Sequence, residues 1–205
     1  MNATDLEIFW AINRQWTHPF LDWLMPALSA IEAWLPLLLL LFVILAWRGN
    51  ANLRWALLAI VLAITLGDAV LGRTLKKSLG RVRPRDSMSG VVMRDLANIK
   101  PRTLALLQPP VIKLSNVKKP MTEGNSMPSN HTINLFAVAY VFLGLSRRWG
   151  IPVLLLAASV AYSRVYVGAH WPSDIPPSIG LGLVAGWLGV TLQRLIQRRC
   201  STDEK

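Results

Sequence analysis

The sequence has one cysteine, Cys200, close to its C-terminal end, which excludes an internal disulfide. It is short of charge: 16% of its 205 residues are Asp, Glu, Lys or Arg, well below the soluble average, while 53% are hydrophobic. Acid is scarcer than base, with 11 acidic against 22 basic residues and a formal net charge of +11. Histidine occurs only three times, at His18, His131 and His170. Carboxylates do not cluster near the motifs described below, so neither a two-metal centre nor another cofactor is expected. The first stretch carries Asp5, Glu7 and Arg14 and lacks a continuous apolar core, so no cleavable signal peptide is expected. In a soluble chain this basicity would suggest nucleic acid. Here the basic residues sit beside apolar blocks, so anionic lipid headgroups or phosphate-bearing substrates are the expected partners and nucleic acid is not.

Those apolar blocks predict an all-α fold: a polytopic membrane bundle of about five spans with N-terminal interfacial helices, in one domain over 1–205. Residues 1–32 form the interfacial segment. Phe9, Trp10, Trp16 and Trp23 suit a membrane boundary, and His18-Pro19 and Pro26 divide the segment into two short helices. The spans are expected at Ala33–Trp47, Trp55–Leu75, Pro128–Ser146, Ile151–Ala169 and Ser178–Ile196, with a polar-rich loop over 80–127. The basic turns at Arg48–Arg54 and Arg147-Arg148 and the tail after Arg194 then share one face, which the positive-inside rule makes cytoplasmic. The protein is thus expected in the inner (plasma) membrane, with the long loop and His170 facing the periplasm or cell exterior. Asp68 falls inside the second span, where pairing with a base or a hydrogen bond to a neighbouring helix fits better than catalysis.

Three clusters carry the chemistry. An apolar run ends in Ala161-Tyr-Ser-Arg164-Val-Tyr-Val-Gly168-Ala-His170-Trp-Pro-Ser-Asp174. A cation at the end of such a run marks a site. Gly168 offers a place for the helix to end and turn His170 back toward Arg164, and Asp174 is placed to hold one imidazole nitrogen and leave the other as nucleophile or base. The second cluster is Lys76-x6-Arg83-Pro84. Seven residues on a helix return to nearly the same face, so both cations reach toward one point, as a phosphate requires. Alone, it reads more readily as cations snorkelling to headgroups at a helix end. The third is Asn125-Ser-Met-Pro128-Ser129-Asn130-His131, opening the third span. Ser129 or Asn130 suits an N-cap, the free N–H groups suit an anion, and His131 could donate a proton to a leaving oxygen. An ordinary cap beside an interfacial histidine is the other reading. The span count joins the three: none lies between Arg83 and Pro128 and two lie between His131 and His170, so all three clusters meet one side of the membrane.

Lys76-x6-Arg83-Pro84, Pro128-Ser129-x-His131 and Ser163-Arg164-x5-His170-x3-Asp174 together resemble the three-part signature of the type 2 phosphatidic acid phosphatase (PAP2) superfamily. Glu7-Ile-Phe-Trp-Ala-Ile-Asn and Phe20-Leu-Asp-Trp-Leu-Met are similar to N-terminal segments of its small bacterial members. Asn130 departs from the usual Gly, Ser or Asp, and Pro176-Pro177 from the small residue and Gly that commonly follow the Asp. The resemblance implies that Lys76, Arg83, Ser129, Asn130 and Arg164 hold the phosphoryl oxygens. It further implies that His170 attacks phosphorus, Asp174 fixes its tautomer and His131 protonates the departing oxygen. A metal-independent lipid phosphatase acting through a phosphohistidine is therefore expected, with undecaprenyl diphosphate favoured and phosphatidylglycerophosphate, lipid A or phosphatidic acid behind it. A non-enzymatic headgroup binder or transporter is the contrasting reading, and it needs cations but not the two histidines. The superfamily's soluble haloperoxidase branch is opposed by the spans. His18 lacks a partner motif and reads as structural.

Overall fold

The structure is a computed structural model that describes residues 3–119 and 121–202. Helix α1 (Ala3–Trp10) runs into a π-helical turn (Ala11–Gln15) and is followed by α2 (Pro19–Ser29). His18 separates them and starts α2: its Nδ1 accepts from Phe20 N at 3.2 Å, and Pro19 takes the first helical position, where a missing N–H costs nothing. That is a structural role. Helix α3 (Ile31–Arg48) leaves almost all of its large side chains exposed, from Leu37 to Leu41 and on to Val43 and Ile44. Such a surface is suited to lipid chains and to little else.

Asn50 caps α4 (Ala51–Thr65) through Oδ1, which accepts from Leu53 N at 2.9 Å. The helix passes through a π-helical segment (Leu66–Gly72) into α5 (Arg73–Leu79). After the loop come α7 (Asn130–Leu145), α8 (Arg147–Tyr166) and α9 (Ile175–Thr202). Among the described residues four helical stretches are long and apolar enough to cross a membrane, and α7 is a shorter apolar helix. The five expected spans thus correspond to α3, α4 through α5, α7, α8 and α9, and the chain is a multi-span membrane protein. Helix α7 lies at the centre, packed on α8, α9 and α4. Small residues allow that approach, because a Cβ at Gly182 would stand 2.6 Å from Ile133 O and one at Gly186 2.7 Å from Tyr140 Cβ.

The segment expected only as a polar loop has structure of its own. It holds a short helix, α6 (Pro84–Ser87), a 3₁₀ turn (Arg102–Leu107) and an antiparallel hairpin of β1 (Val92–Asp95) and β2 (Val111–Leu114), with Val92 opposite Leu114. Strands this short, one of them exposed throughout, carry no readable alternation. Side chains from the N-terminal helices fix the hairpin in place. Asn13 Nδ2 donates to Val92 O and Tyr166 O, both at 2.9 Å, and its Oδ1 accepts from Val92 N at 3.0 Å. Arg94 is buried: Nε reaches Asp22 Oδ1 at 2.6 Å, and Nη1 reaches Asn13 O and Tyr166 O at 3.0 and 3.2 Å. Around these bonds Phe9, Ile12 and Met25 pack with Val91, Tyr166 and Trp171. The N-terminal segment and the loop therefore close together over the end of α8.

That end is shaped by Gly168. Helix α8 stops at Tyr166, Gly168 takes φ +76°, and the N–H groups of Ala169 and His170 both return to Arg164 O, at 3.0 and 3.1 Å. A Cβ at residue 168 would also stand 2.6 Å from Val91 Cγ1. A 3₁₀ turn (Pro172–Asp174) follows, and α9 begins at Ile175, before the expected Ser178. Pro176 and Pro177 fit its first turn because those N–H groups have no helical acceptor. Gly168→Ala should therefore lower the unfolding midpoint in detergent, by strain of about 1–3 kcal/mol. Gly144→Ala, where an added Cβ meets nothing within 4 Å, should not lower it. Equal midpoints for the two variants would contradict the strained-turn explanation.

Candidate active site

Lys76 lies in the last turn of α5, which ends at Leu79. Gly80 then turns left-handed at φ +54°, with its N–H on Lys76 O at 3.1 Å, and Arg83 follows in extended backbone before Pro84. The expected helical relation between Lys76 and Arg83 is therefore wrong, because the glycine ends the helix between them. Their convergence comes from the turn instead. Both line one cavity of about 460 Å³, with Lys77, Asp86, Glu123 and Asn125.

Ser129 occupies the N-cap position of α7, but its side chain does not cap. Its N–H donates to Ser178 Oγ at 2.8 Å, and its Oγ accepts from Thr132 Oγ1 at 3.1 Å, so the residue is tied to α9 and wholly buried. Asn130 Nδ2 donates to Asp68 Oδ1. Asp68 thus bonds a neighbouring helix, one of the two roles expected of it, from within the π-helical segment. His131 follows on the same turn, at the end of α7 that meets the other two clusters.

In the third cluster, Arg164 Nη1 donates to Ser29 O at 2.9 Å and also to Ser29 Oγ. His170 is buried, with Nδ1 3.4 Å from Asp174 Oδ2. This is a close contact and not a formed hydrogen bond, since Nδ1 has no partner of adequate geometry. Both oxygens of Asp174 are engaged by other donors. Its Oδ2 accepts from Ser126 Oγ at 2.5 Å and from Trp171 N at 3.0 Å, and its Oδ1 accepts from Arg81 Nη1 at 2.6 Å.

The clusters meet. Arg83, Arg164, Lys76 and His170 all act electrostatically on His131, and Arg83 and Arg164 both act on Lys76. Six buried side-chain atoms among the described residues lack a hydrogen-bond partner: Arg83 Nε, Arg164 Nε, His131 Nε2, His170 Nδ1, Asn130 Oδ1 and Asn134 Oδ1. Buried polar atoms are rarely left so. Five of the six belong to residues picked from the sequence, and four are nitrogens of cationic or imidazole side chains. The donors suit an anion with several oxygens. Among the described residues no three of His, Cys, Asp and Glu are grouped to hold a metal ion. Four supporting residues went unread: Ser29 behind Arg164, and Asp5, Arg81 and Ser126 behind Asp174. Arg81 and Ser126 stand inside the second and third clusters and were within reach; Ser29 and Asp5 have no local signal.

The family model described as the PAP2 superfamily matches residues 52–198. The chain belongs to that superfamily. This PAP2 protein is 28% identical over 192 residues to a lipid A 4′-phosphatase of Bacteroides thetaiotaomicron, covering 90% of its own chain and 75% of that relative. It is 32% identical over 63 residues to the undecaprenyl-diphosphatase BcrC of Bacillus subtilis, a match that spans only 33% of that relative's length. Its fold is similar to that of Aquifex aeolicus LpxE, with TM-score 0.61 and 23% identity over 93% of this chain and 96% of that one. A transmembrane PAP2-type phosphatidylglycerolphosphate phosphatase of Bacillus subtilis aligns with TM-score 0.60 and 22% identity, over 95% and 86% of the two chains. These two structures speak for the fold alone.

In this PAP2 protein His170 lies between spans, and burial lowers its pKa to about 4; Asp174 opposes the shift, and the charges of Arg164 and Arg83 add to it. The imidazole is thus neutral at pH 7 and its lone pair is available. An unfolded chain would take up this proton near 6.5, so stability contributed by the neutral ring falls as pH drops from about 6.5 to about 4. NMR titration of ring-labelled histidine, assigned with His18→Gln, His131→Gln and His170→Gln, should find His170 unprotonated down to about pH 4. A midpoint at the ordinary value of 6.5 would contradict the buried, cation-flanked environment.

Proposed function

We propose that the protein is a metal-independent membrane phosphatase that hydrolyses a lipid phosphate or diphosphate at the outer face, through a phosphohistidine on His170, with undecaprenyl diphosphate as the favoured substrate. The observation that carries this reading is the set of unpartnered nitrogens on Arg83, Arg164 and His131, close to Lys76 and His170. Phosphoryl transfer asks mainly for position and charge stabilisation, and fixed cations supply both. Lys76, Arg83 and Arg164, with the α7 N-terminus at Asn130, would hold the non-bridging oxygens, whereas the Ser129 N–H is already given to Ser178 Oγ. Asp174 beside Nδ1 favours the tautomer that presents Nε2 to phosphorus.

In the first step the His170 Nε2 lone pair forms the N–P bond to the terminal phosphorus as the bond from that phosphorus to the bridging oxygen breaks. The bond's electron pair goes to that oxygen, which leaves with the lipid (as alcohol from a monoester, as lipid phosphate from a diphosphate) and takes a proton from His131 in its imidazolium form. In the second step water attacks the same phosphorus and loses a proton to His131. The N–P electron pair returns to His170 and inorganic phosphate departs. Both histidines end as they began.

The undecaprenyl-diphosphatase relative supports the favoured substrate. A second substrate reading, lipid A, is supported by the relative that covers 90% of the chain. Phosphatidylglycerophosphate remains within the same mechanism. A mere headgroup binder would need the cations but would have no use for an imidazole set beside a carboxylate.

The test is phosphate release by purified protein in excess chelator from undecaprenyl diphosphate, lipid A, phosphatidylglycerophosphate and an aryl phosphate. Wild type should act on at least one of the lipids, and His170→Ala on none. His131→Ala should lose about 10²–10⁴-fold on a lipid monoester but much less on the aryl phosphate, whose leaving group hardly needs a proton. No release by the wild type would overturn the phosphatase reading. A flat loss across substrates for His131→Ala would remove its role as general acid.

A further inference from the structure

Asp174 has a second carboxylate behind it. Arg81 Nη1 donates to Asp174 Oδ1, and Arg81 Nη2 donates to Asp5 Oδ2, both at 2.6 Å, so one guanidinium joins two buried acids. Asp5 does not reach Arg81 alone. Its Oδ1 accepts from Ser173 N at 2.9 Å and its Oδ2 from Ser173 Oγ at 2.6 Å, fixing the residue next to Asp174. Arg81 Nη1 also donates to Ser173 Oγ at 2.8 Å, and its guanidinium carbon stands 5.7 Å from the Trp171 ring centre. Every link is short, and the two carboxylates are almost wholly buried. Asp5 lies 76 residues from Arg81 along the chain and outside the residues that the PAP2 family model covers.

We infer that Asp5, on the N-terminal helix α1, is a positioning residue for His170: it holds Arg81, whose guanidinium aims the Asp174 carboxylate at the imidazole. The inference rests on the phosphatase reading above. A carboxylate whose two oxygens are both engaged cannot rotate without breaking a bond. One oxygen is held by Arg81, the other by Ser126 and Trp171 N. The Arg81 fork in turn has two ends, and only one of them is on Asp174. With Asp5 neutral, the outer end loses its charge partner and the inner end is free to re-aim. The N-terminal helix thus takes part in orienting the nucleophile, although no residue of it need touch substrate. Lysine at position 81 would keep the charge but not the two-ended fork, because an ammonium is a point charge.

The test is a double-mutant cycle on the folded, purified protein, read as kcat and KM for phosphate release. Asp5→Asn keeps the side chain's shape and should lower kcat about 10–100-fold, as loss of a partner that orients a functional side chain does, with little change in KM. In an Asp174→Asn background the same substitution should cost almost nothing more, because its route to His170 is already cut. Arg81→Lys should behave as Asp5→Asn does, and it guards against a variant that fails to fold. If Asp5→Asn costs the same factor in both backgrounds, or if it and Arg81→Lys both keep wild-type kcat, the positioning role is overturned. If the wild type releases no phosphate from any substrate, the phosphatase reading falls and takes this inference with it.

Discussion

Lys76, Arg83 and Arg164 carry three positive charges into one part of the protein, and like charges repel. The site depends on holding them there. Acids offset them: Asp68 acts on Lys76, Asp86 on Arg83, and Glu32 and Asp95 on Arg164. None of these acids takes up Arg83 Nε or Arg164 Nε, which stay without a partner. Acids that offset the charges without bonding those two nitrogens leave the donors to a ligand with oxygens of its own.

The scaffold that resists this repulsion is drawn from the whole chain. The left-handed turn at Gly80 brings Arg83 to Lys76, and the left-handed turn at Gly168 brings His170 back to the end of α8 beside Arg164. The hairpin and the N-terminal helices lock that second turn through Asn13, Arg94 and Val91. Ser29 of α2 holds Arg164 from behind. The membrane helices supply a rigid wall, with α7 at its centre. The segments outside the helices supply the aim.

Much of this was legible in the sequence because the residues carry their chemistry openly. A cation at the end of an apolar run, an imidazole with an acid four residues on, and a count of the spans between clusters put Lys76, Arg83, His131, Arg164, His170 and Asp174 on one side. Gly168 was readable as a turn because a helix had to end there. What was not legible involved contacts made far along the chain or decided by one backbone angle. A helical wheel joins Lys76 to Arg83 only if Gly80 is helical, and it is left-handed. Ser129 has the composition of a cap, yet its N–H goes to Ser178 and its Oγ to Thr132. Asp5 sits among interfacial aromatics with nothing nearby to mark it. The hairpin's strands pair over only four residues each and are fastened to the N-terminal helices by Asn13 and Arg94, so its sequence shows no readable alternation.

The central claim is that the gathered donors serve a covalent transfer to His170, and the phosphoenzyme itself tests that claim most directly. A phosphohistidine is labile in acid, so the reaction with a labelled lipid phosphate should be quenched in alkali within a single turnover and the protein digested. The proposed reaction predicts phosphate on the peptide containing His170, gained and then lost as the turnover proceeds, and absent from His170→Ala. Release of phosphate with no labelled peptide at any time, or with the label on a different residue, would contradict it.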